Sequence, residues 1–281
     1  MYRELYRFGG MTFALESDAP LERSPVCEAF RVPDGVPDHT ICLRFSDALP
    51  TPPTDALRRD DVFRWQAGAQ RHLLQWVSAP GDIPHFTYAV THGAHTDVIF
   101  ASAYRTGASV STALEAAGLF DVFAARGMLV LHSAYIVTSA GEAILFSGPS
   151  GIGKSTQAAL WQRCAGARVV NGDRALVDVG KKTANGIFYA GTSGISENVT
   201  APVRAIVLLG QGSENRVFVP SPQAAFAGVL SQCAYYEWDA RSAEQMTECV
   251  ARLVSDVPVL RMDCLPNATA VEALHDQLGG I

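Results

Sequence analysis

No stretch of about 18 consecutive apolar residues occurs in this sequence, which excludes a helical membrane span. The opening residues Met1-Tyr2-Arg3-Glu4-Leu5-Tyr6-Arg7 carry charge where a secretory leader needs an apolar segment, so the expected compartment is the cytoplasm. The six cysteines, at 27, 42, 164, 233, 249 and 264, include no C-x-x-C pair and have no histidine nearby at zinc-ligand spacing. They are expected to be reduced core thiols. Basic clusters are missing as well: 22 Lys and Arg stand against 28 Asp and Glu, giving a formal net charge of −6. Neither nucleic acid nor a membrane surface is therefore expected as a partner. There is no internal repeat and no low-complexity tract.

What the chain does have is 48% apolar residues over 281 positions, enough for one large or two modest domains. Residues 1–104 read as β-rich, because Met11, Phe13 and Leu15 alternate with Thr12, Ala14 and Glu16, and Ile41, Leu43 and Phe45 alternate with Cys42 and Arg44. Further strands are expected at 62–65, 72–77, 86–90 and 97–102. From there the pattern turns to α/β. A helix is expected over 109–125, ended by Gly127, then strands at 128–131, 143–146, 168–171, 175–179, 187–190 and 205–209, with a hairpin turn at 181–186. Helices follow from Ser221-Pro222 and over 242–255, then a strand at 257–262 and a last helix after Asn267. The expected organisation is a β-rich N-terminal domain, 1–104, and an α/β domain, 105–281.

The most specific motif is Gly148-Pro149-Ser150-Gly151-Ile152-Gly153-Lys154-Ser155-Thr156, which fits G-x-x-x-x-G-K-[ST] between an apolar run and a helical one. With average residue usage, a chance match in a chain of this length is on the order of 1%. The glycines let successive backbone N–H groups turn toward one phosphate oxygen, and the helix N-terminus adds partial positive charge. Lys154 brings a full charge to the β and γ phosphates, and the hydroxyl of Ser155 suits Mg²⁺, which takes hard oxygen ligands. ATP with Mg²⁺ is the expected ligand.

Such a loop needs a carboxylate near the metal. The apolar strand 205–209 runs into Gly210-Gln211 with no acid, whereas Asp173 directly follows the strand after the loop helix. Parallel neighbouring strands would bring Asp173 to the sheet edge that carries Ser155; its alternative role is to cap the turn Asn171-Gly172-Asp173-Arg174. His92, His95 and Asp97 have metal-like spacing but fall in a Gly-containing hairpin and read as a solvated turn. Tyr235, Tyr236 and Trp238 read as core or interface aromatics late in a helix.

Around the loop the sequence resembles the catalytic domain of HPr kinase/phosphorylase, which shares a phosphate-loop core with the ATP-dependent phosphoenolpyruvate carboxykinases. Leu131-His132-Ser133-Ala134, the loop itself and Val169-Val170-Asn171-Gly172-Asp173-Arg174 carry the resemblance, with weaker likeness at 198–209 and 220–230. It covers roughly 127–278 and points to the branch whose acid segment reads N-G-D-R. The resemblance implies that Lys154 binds the β and γ phosphates, that Ser155 binds Mg²⁺, and that Asp173 acts at the metal or on the attacking hydroxyl. His132 falls where the family has a histidine near the active site; its alternative is a structural histidine at a strand end.

Two departures stand out. Gly172 occupies the place of the first of two adjacent aspartates in the bifunctional enzymes. Their E-x-R-G-L-G segment is replaced by Gly191-Thr192-Ser193-Gly194-Ile195-Ser196-Glu197, so Asp173 does both jobs or Glu197 helps. The expectation is a kinase that passes the γ-phosphate to a hydroxyl, first a Ser or Thr of a peptide or protein, with phosphorylase activity unsupported. The alternatives are a small-molecule kinase and a nucleotide-sensing module without transfer. Homo-oligomerisation is left open.

Overall fold

In the computed structural model, which describes residues 1–78 and 84–279, the period-2 patterns of the N-terminal half become one nine-stranded sheet. Its strands are β1 (Tyr2–Phe8), β2 (Met11–Ser17), β3 (Arg31–Val32), β4 (His39–Phe45), β5 (Leu57–Arg59), β6 (Val62–Ala67), β7 (Gln70–Ser78), β8 (Pro84–His92) and β9 (His95–Phe100). A short helix, α1 (Pro25–Glu28), precedes β3. Strand order is β3-β1-β2-β4-β9-β8-β7-β6-β5, with β2, β4 and β9 parallel neighbours and the remaining pairs antiparallel. Alternation decides the faces: Phe13, Ile41, Leu43, Val98 and Phe100 are fully buried, and Phe8 stacks on Phe13 with ring centroids 4.4 Å apart.

The chain divides into two compact units, Met1–Val122 with Glu237–Ala240, and Phe123–Tyr236 with Arg241–Ile281. The division lies further along than the expected position near 104, because α2 (Val110–Ala116) buries Val110, Ala113 and Leu114 and belongs to the first unit. Arg64, 6% exposed, pairs with Asp121 and, at 2.8 Å, with Asp239, which ties the returning segment Glu237–Ala240 to the first unit. The single helix expected over 109–125 is instead two, α2 and α3 (Phe120–Ala124). Gly118 between them takes φ 61, a left-handed conformation that stops a helix.

The second unit is mixed α/β. Its elements are β10 (Met128–Val137), β11 (Ala143–Ser147), α4 (Lys154–Ala165), β12 (Arg168–Asn171), β13 (Arg174–Asp178), β14 (Thr183–Asn185), β15 (Thr200–Gln211), β16 (Arg216–Phe218), α5 (Pro222–Leu230), α6 (Ala240–Asp256), β17 (Val259–Cys264) and α7 (Ala268–Gln277). The parallel strands β11, β15 and β17 form its centre. Pairings β11–β10, β10–β13, β13–β14, β14–β15 and β15–β11 close on themselves, with the long strands β10 and β15 shared between both halves of the ring. Ile144, Phe146, Val207 and Leu209 pack with Ala158, Trp161 and Leu274 of α4 and α7, whereas Leu145, Ile206 and Leu208 face Val229, Met246 and Val250 of α5 and α6. Both faces are covered, which is why 143–146 and 205–209 read as unbroken apolar runs. Among the described residues no helix is long and apolar enough to cross a membrane.

Three local expectations change. Residues 187–190 form no strand; the Ile187 and Tyr189 carbonyls accept instead from the side-chain amide of Asn171, both at 2.9 Å. The turn expected over 181–186 is tighter, with Lys182 at φ 56, which leaves Thr183–Asn185 free to pair as β14. Tyr235, Tyr236 and Trp238 lie in the connection between α5 and α6 rather than in a helix. The cysteines are unpaired as expected, yet only Cys27 and Cys249 are buried, and Cys164 is exposed.

Candidate functional site

The motif residues sit where strand becomes helix. β11 ends at Ser147, Gly148 takes φ 147 and Gly151 φ 79, and Gly153 at φ 115 is the N-cap of α4. Gly148 is held to glycine by its backbone conformation, and an added Cβ would lie 3.2 Å from Ile152 Cγ2, which would have to shift by a few tenths of an ångström. The first helical bond runs from Gln157 N to Gly153 O at 2.9 Å, which leaves the amides of Lys154, Ser155 and Thr156 without an intrahelical acceptor. No side chain caps them. A helix start of this kind attracts anions.

A cleft of about 280 Å³ opens over these amides, lined by Ser150, Gly151, Gly153, Lys154, Ser155 and Thr156 on the loop side. Gly148 and Ile152 are not part of this lining, and Ile152 packs against the apolar core beneath the loop. The Lys154 ammonium donates to the carbonyls of Gly148 at 2.9 Å and Pro149 at 3.1 Å. Burial lowers its pKa from the usual lysine value, opposed by the negative charge of Asp173.

Across the cleft stand His132, Gly172 and Asp173. The expected neighbour relation is corrected here: β12 does not adjoin β11. β10 lies between them, antiparallel to both, so β11 and β12 point the same way and end together. The Ser133 amide donates to the Asp173 carbonyl at 2.9 Å, and the Ser147 hydroxyl donates to the His132 carbonyl at 2.8 Å, which fixes both residues at that edge. His132 Nε2 lies 3.4 Å from Asp173 Oδ1, and Arg174 Nε lies 3.3 Å from Asp173 Oδ2. The His132 pKa is lowered, first by burial and then by the Lys154 charge, with Asp173 pulling the other way. Burial thus favours the neutral ring.

Glu197 stands apart from this cleft. Its carboxylate pairs with Arg168 Nε at 2.5 Å, at the start of β12 and so at the other end of that strand from the Asp173 turn, and Glu197 does not line the cleft.

Several cleft residues escape the motif. Asn171, fully buried, accepts from the amides of Asp173 and Arg174 at 2.9 Å each, and its own amide donates to Ile187, Tyr189 and Ser196 Oγ. It joins the Asp173 turn to the segment that carries Thr192 and Ser193 into the cleft. That segment approaches closely: a Cβ at Gly172 would fall 2.3 Å from Ser193 Oγ, and one at Gly191 would fall 2.6 Å from Asp173 Cγ. An Asn-Gly pair at a strand end is a sequence signal for such a turn, but nothing local foretells its partner twenty residues on.

A wider groove of about 640 Å³ runs along 219–225 and 254–260, and its lining is mainly apolar, with Ser255 and Asp256 its only polar side chains. Convergent charge and helix-start amides are found in the smaller cleft, which makes it the candidate site. Neither a protein-family model nor a curated protein matches this sequence.

Proposed function

We propose that the second unit is an ATP-dependent phosphotransferase with a phosphate-loop core of the HPr kinase/phosphoenolpyruvate carboxykinase type, acting in the cytoplasm on a Ser or Thr hydroxyl of a peptide or protein. One observation carries this reading: amides at a helix start, a buried lysine, five exposed hydroxyls and a carboxylate beside a histidine line a single cleft. The loop amides and Lys154 bind the phosphates and take up the charge of the leaving ADP. The Ser155 hydroxyl and Asp173 carboxylate are the hard oxygen donors that Mg²⁺ prefers, and the cation adds charge neutralisation when bound.

Asp173 accepts the proton of the attacking hydroxyl as its oxygen bonds to the γ-phosphorus and the bond to the β-phosphate oxygen breaks. His132, neutral, offers an N–H that holds Asp173 in place. The first unit, whose sequence carries no phosphate or catalytic motif, recognises the acceptor.

A second reading, a nucleotide sensor without transfer, is favoured by Gly172. The first of the two adjacent aspartates of the bifunctional enzymes has no room there, because Ser193 already fills the space. Single-turnover incubation with γ-labelled ATP and peptide, protein and small hydroxyl acceptors separates the readings. Label on Ser or Thr that is lost in Asp173→Asn supports the kinase. Label on a small molecule redirects the acceptor, and bound nucleotide with no transfer supports the sensor.

A further inference from the structure

The outer face of the first unit's sheet carries a second cluster of chemistry-bearing side chains. In the parallel trio β2, β4 and β9, Glu16 stands opposite Cys42 and Cys42 opposite Asp97. Because Ile41, Leu43 and Val98 point into the core, Glu16, Cys42, Asp97 and His95, two residues before Asp97, share the other face and are all half-buried. Neighbouring strands are about 4.8 Å apart, so the row spans about 10 Å with the thiol in its middle. The ligand atoms of Cys42, His95 and Asp97 all lie within 4.8 Å of one another. Cys42 Sγ is also 3.5 Å from Glu16 Oε2. The trio differs from the His92, His95 and Asp97 set weighed on spacing alone: His92 is exposed, and Cys42 comes from a strand more than fifty residues away in sequence.

We propose that Cys42, His95, Asp97 and Glu16 bind one divalent cation of the Zn²⁺ class. A thiolate and an imidazole select a borderline-soft metal over Mg²⁺ or Ca²⁺, and two carboxylate oxygens complete four ligands. Metal–ligand bonds of about 2.0–2.3 Å in a tetrahedron place ligand atoms about 3.3–3.8 Å apart, so these side chains need to close by about 1 Å. The Glu16 carboxylate is already divided in its duties: Arg3 Nε engages Oε1 at 3.4 Å, leaving Oε2 toward the thiol. Asp97 Oδ1 takes Arg44 at 2.8 Å and lies 3.4 Å from His95 Nε2, which holds the imidazole beside it. Such outer partners orient metal-binding carboxylates. Binding replaces the thiol proton, which leaves to solvent, and the cation ties together three strands that are distant in sequence.

The test adds Co²⁺ alone to the chelator-treated full-length chain, without nucleotide. A thiolate-to-cobalt charge-transfer band with tetrahedral visible bands, saturating at one equivalent and erased by Zn²⁺, is the expected result. Cys42→Ser should remove the charge-transfer band, and His95→Gln and Glu16→Gln should each weaken Co²⁺ binding by at least about tenfold. Asp173→Asn should leave the band unchanged, which separates this site from the cleft of the second unit. A wild-type spectrum with no thiolate band overturns the proposal, and so does a band that survives in Cys42→Ser. Should Cys42→Ser fail to fold, His95→Gln decides: undiminished affinity in that variant refutes the site.

Discussion

Asn171→Ala tests whether the cleft is assembled by one buried amide. The wild-type side chain accepts from Asp173 N and Arg174 N and donates to Ile187 O, Tyr189 O and Ser196 Oγ. Ile187 O keeps a donor in the variant, because Ser196 Oγ reaches it at 2.5 Å, so the loss falls on two amides and the Tyr189 carbonyl. A buried polar group that loses its partner costs about 1–3 kcal/mol. Asp173 and Arg174 sit on a partly exposed turn where water replaces some of what is lost, so the low end of that range applies to each of the three groups. The expected total is about 3 kcal/mol in the stability of the second unit.

Urea unfolding measures that total, and amide hydrogen exchange localises it. Exchange should accelerate in 171–174 and in 187–196, and should stay unchanged in the first unit's sheet. A loss below about 1 kcal/mol with unchanged exchange in both segments would refute the role given to Asn171.

Gly172→Asp, which restores a second acid, should destabilise the second unit and lower any transfer rate rather than raise it, because its Cβ meets Ser193 Oγ; Ser193→Gly in the same chain should recover folding in a thermal melt. Arg64→Met should cost the first unit about 3–5 kcal/mol in a urea titration, since Asp121 and Asp239 lose their common buried cation. His132 has a folded pKa below its unfolded value of about 6.5, so above that pH the two states bind the same number of protons there. As pH falls through 6.5 the unfolded state takes up the proton first and stability is lost; His132→Gln should flatten part of that fall in melts between about pH 7 and 5, and an identical slope would count against the buried, neutral ring.

The parts of the fold that were legible in sequence are those governed by local pattern. Alternation in β2 and β4, the unbroken apolar runs of β11 and β15, the Ser221-Pro222 start of α5 and the Gly148–Thr156 turn all depend on neighbours within a few residues. The helix expected over 242–255 is α6, whose buried residues Ser242, Met246, Cys249, Val250 and Leu253 fall at helical spacing. What was missed depends on distant partners. The Ile187 and Tyr189 carbonyls, which a strand would spend on a ladder, are taken by Asn171, and Gly118 divides a helix that composition alone would continue. Asp173 was singled out by its position after the strand that follows the loop helix, and His132 by the resemblance alone. The antiparallel strand that sets them together was not, because strand order is a property of the assembled sheet. Cys42 was set aside as a core thiol, since its neighbours His95 and Asp97 arrive from another strand.

The most direct test of the central claim is a titration of ATP with Mg²⁺ into the full-length chain, read as the shift in stability against nucleotide concentration. A ligand bound only by the folded state at about 100 times its dissociation constant adds about 2.7 kcal/mol. The wild type should show that shift, Lys154→Ala should lose most of it, and Asp173→Asn should keep nearly all of it. Wild type and Lys154→Ala melting together across millimolar nucleotide would contradict the account.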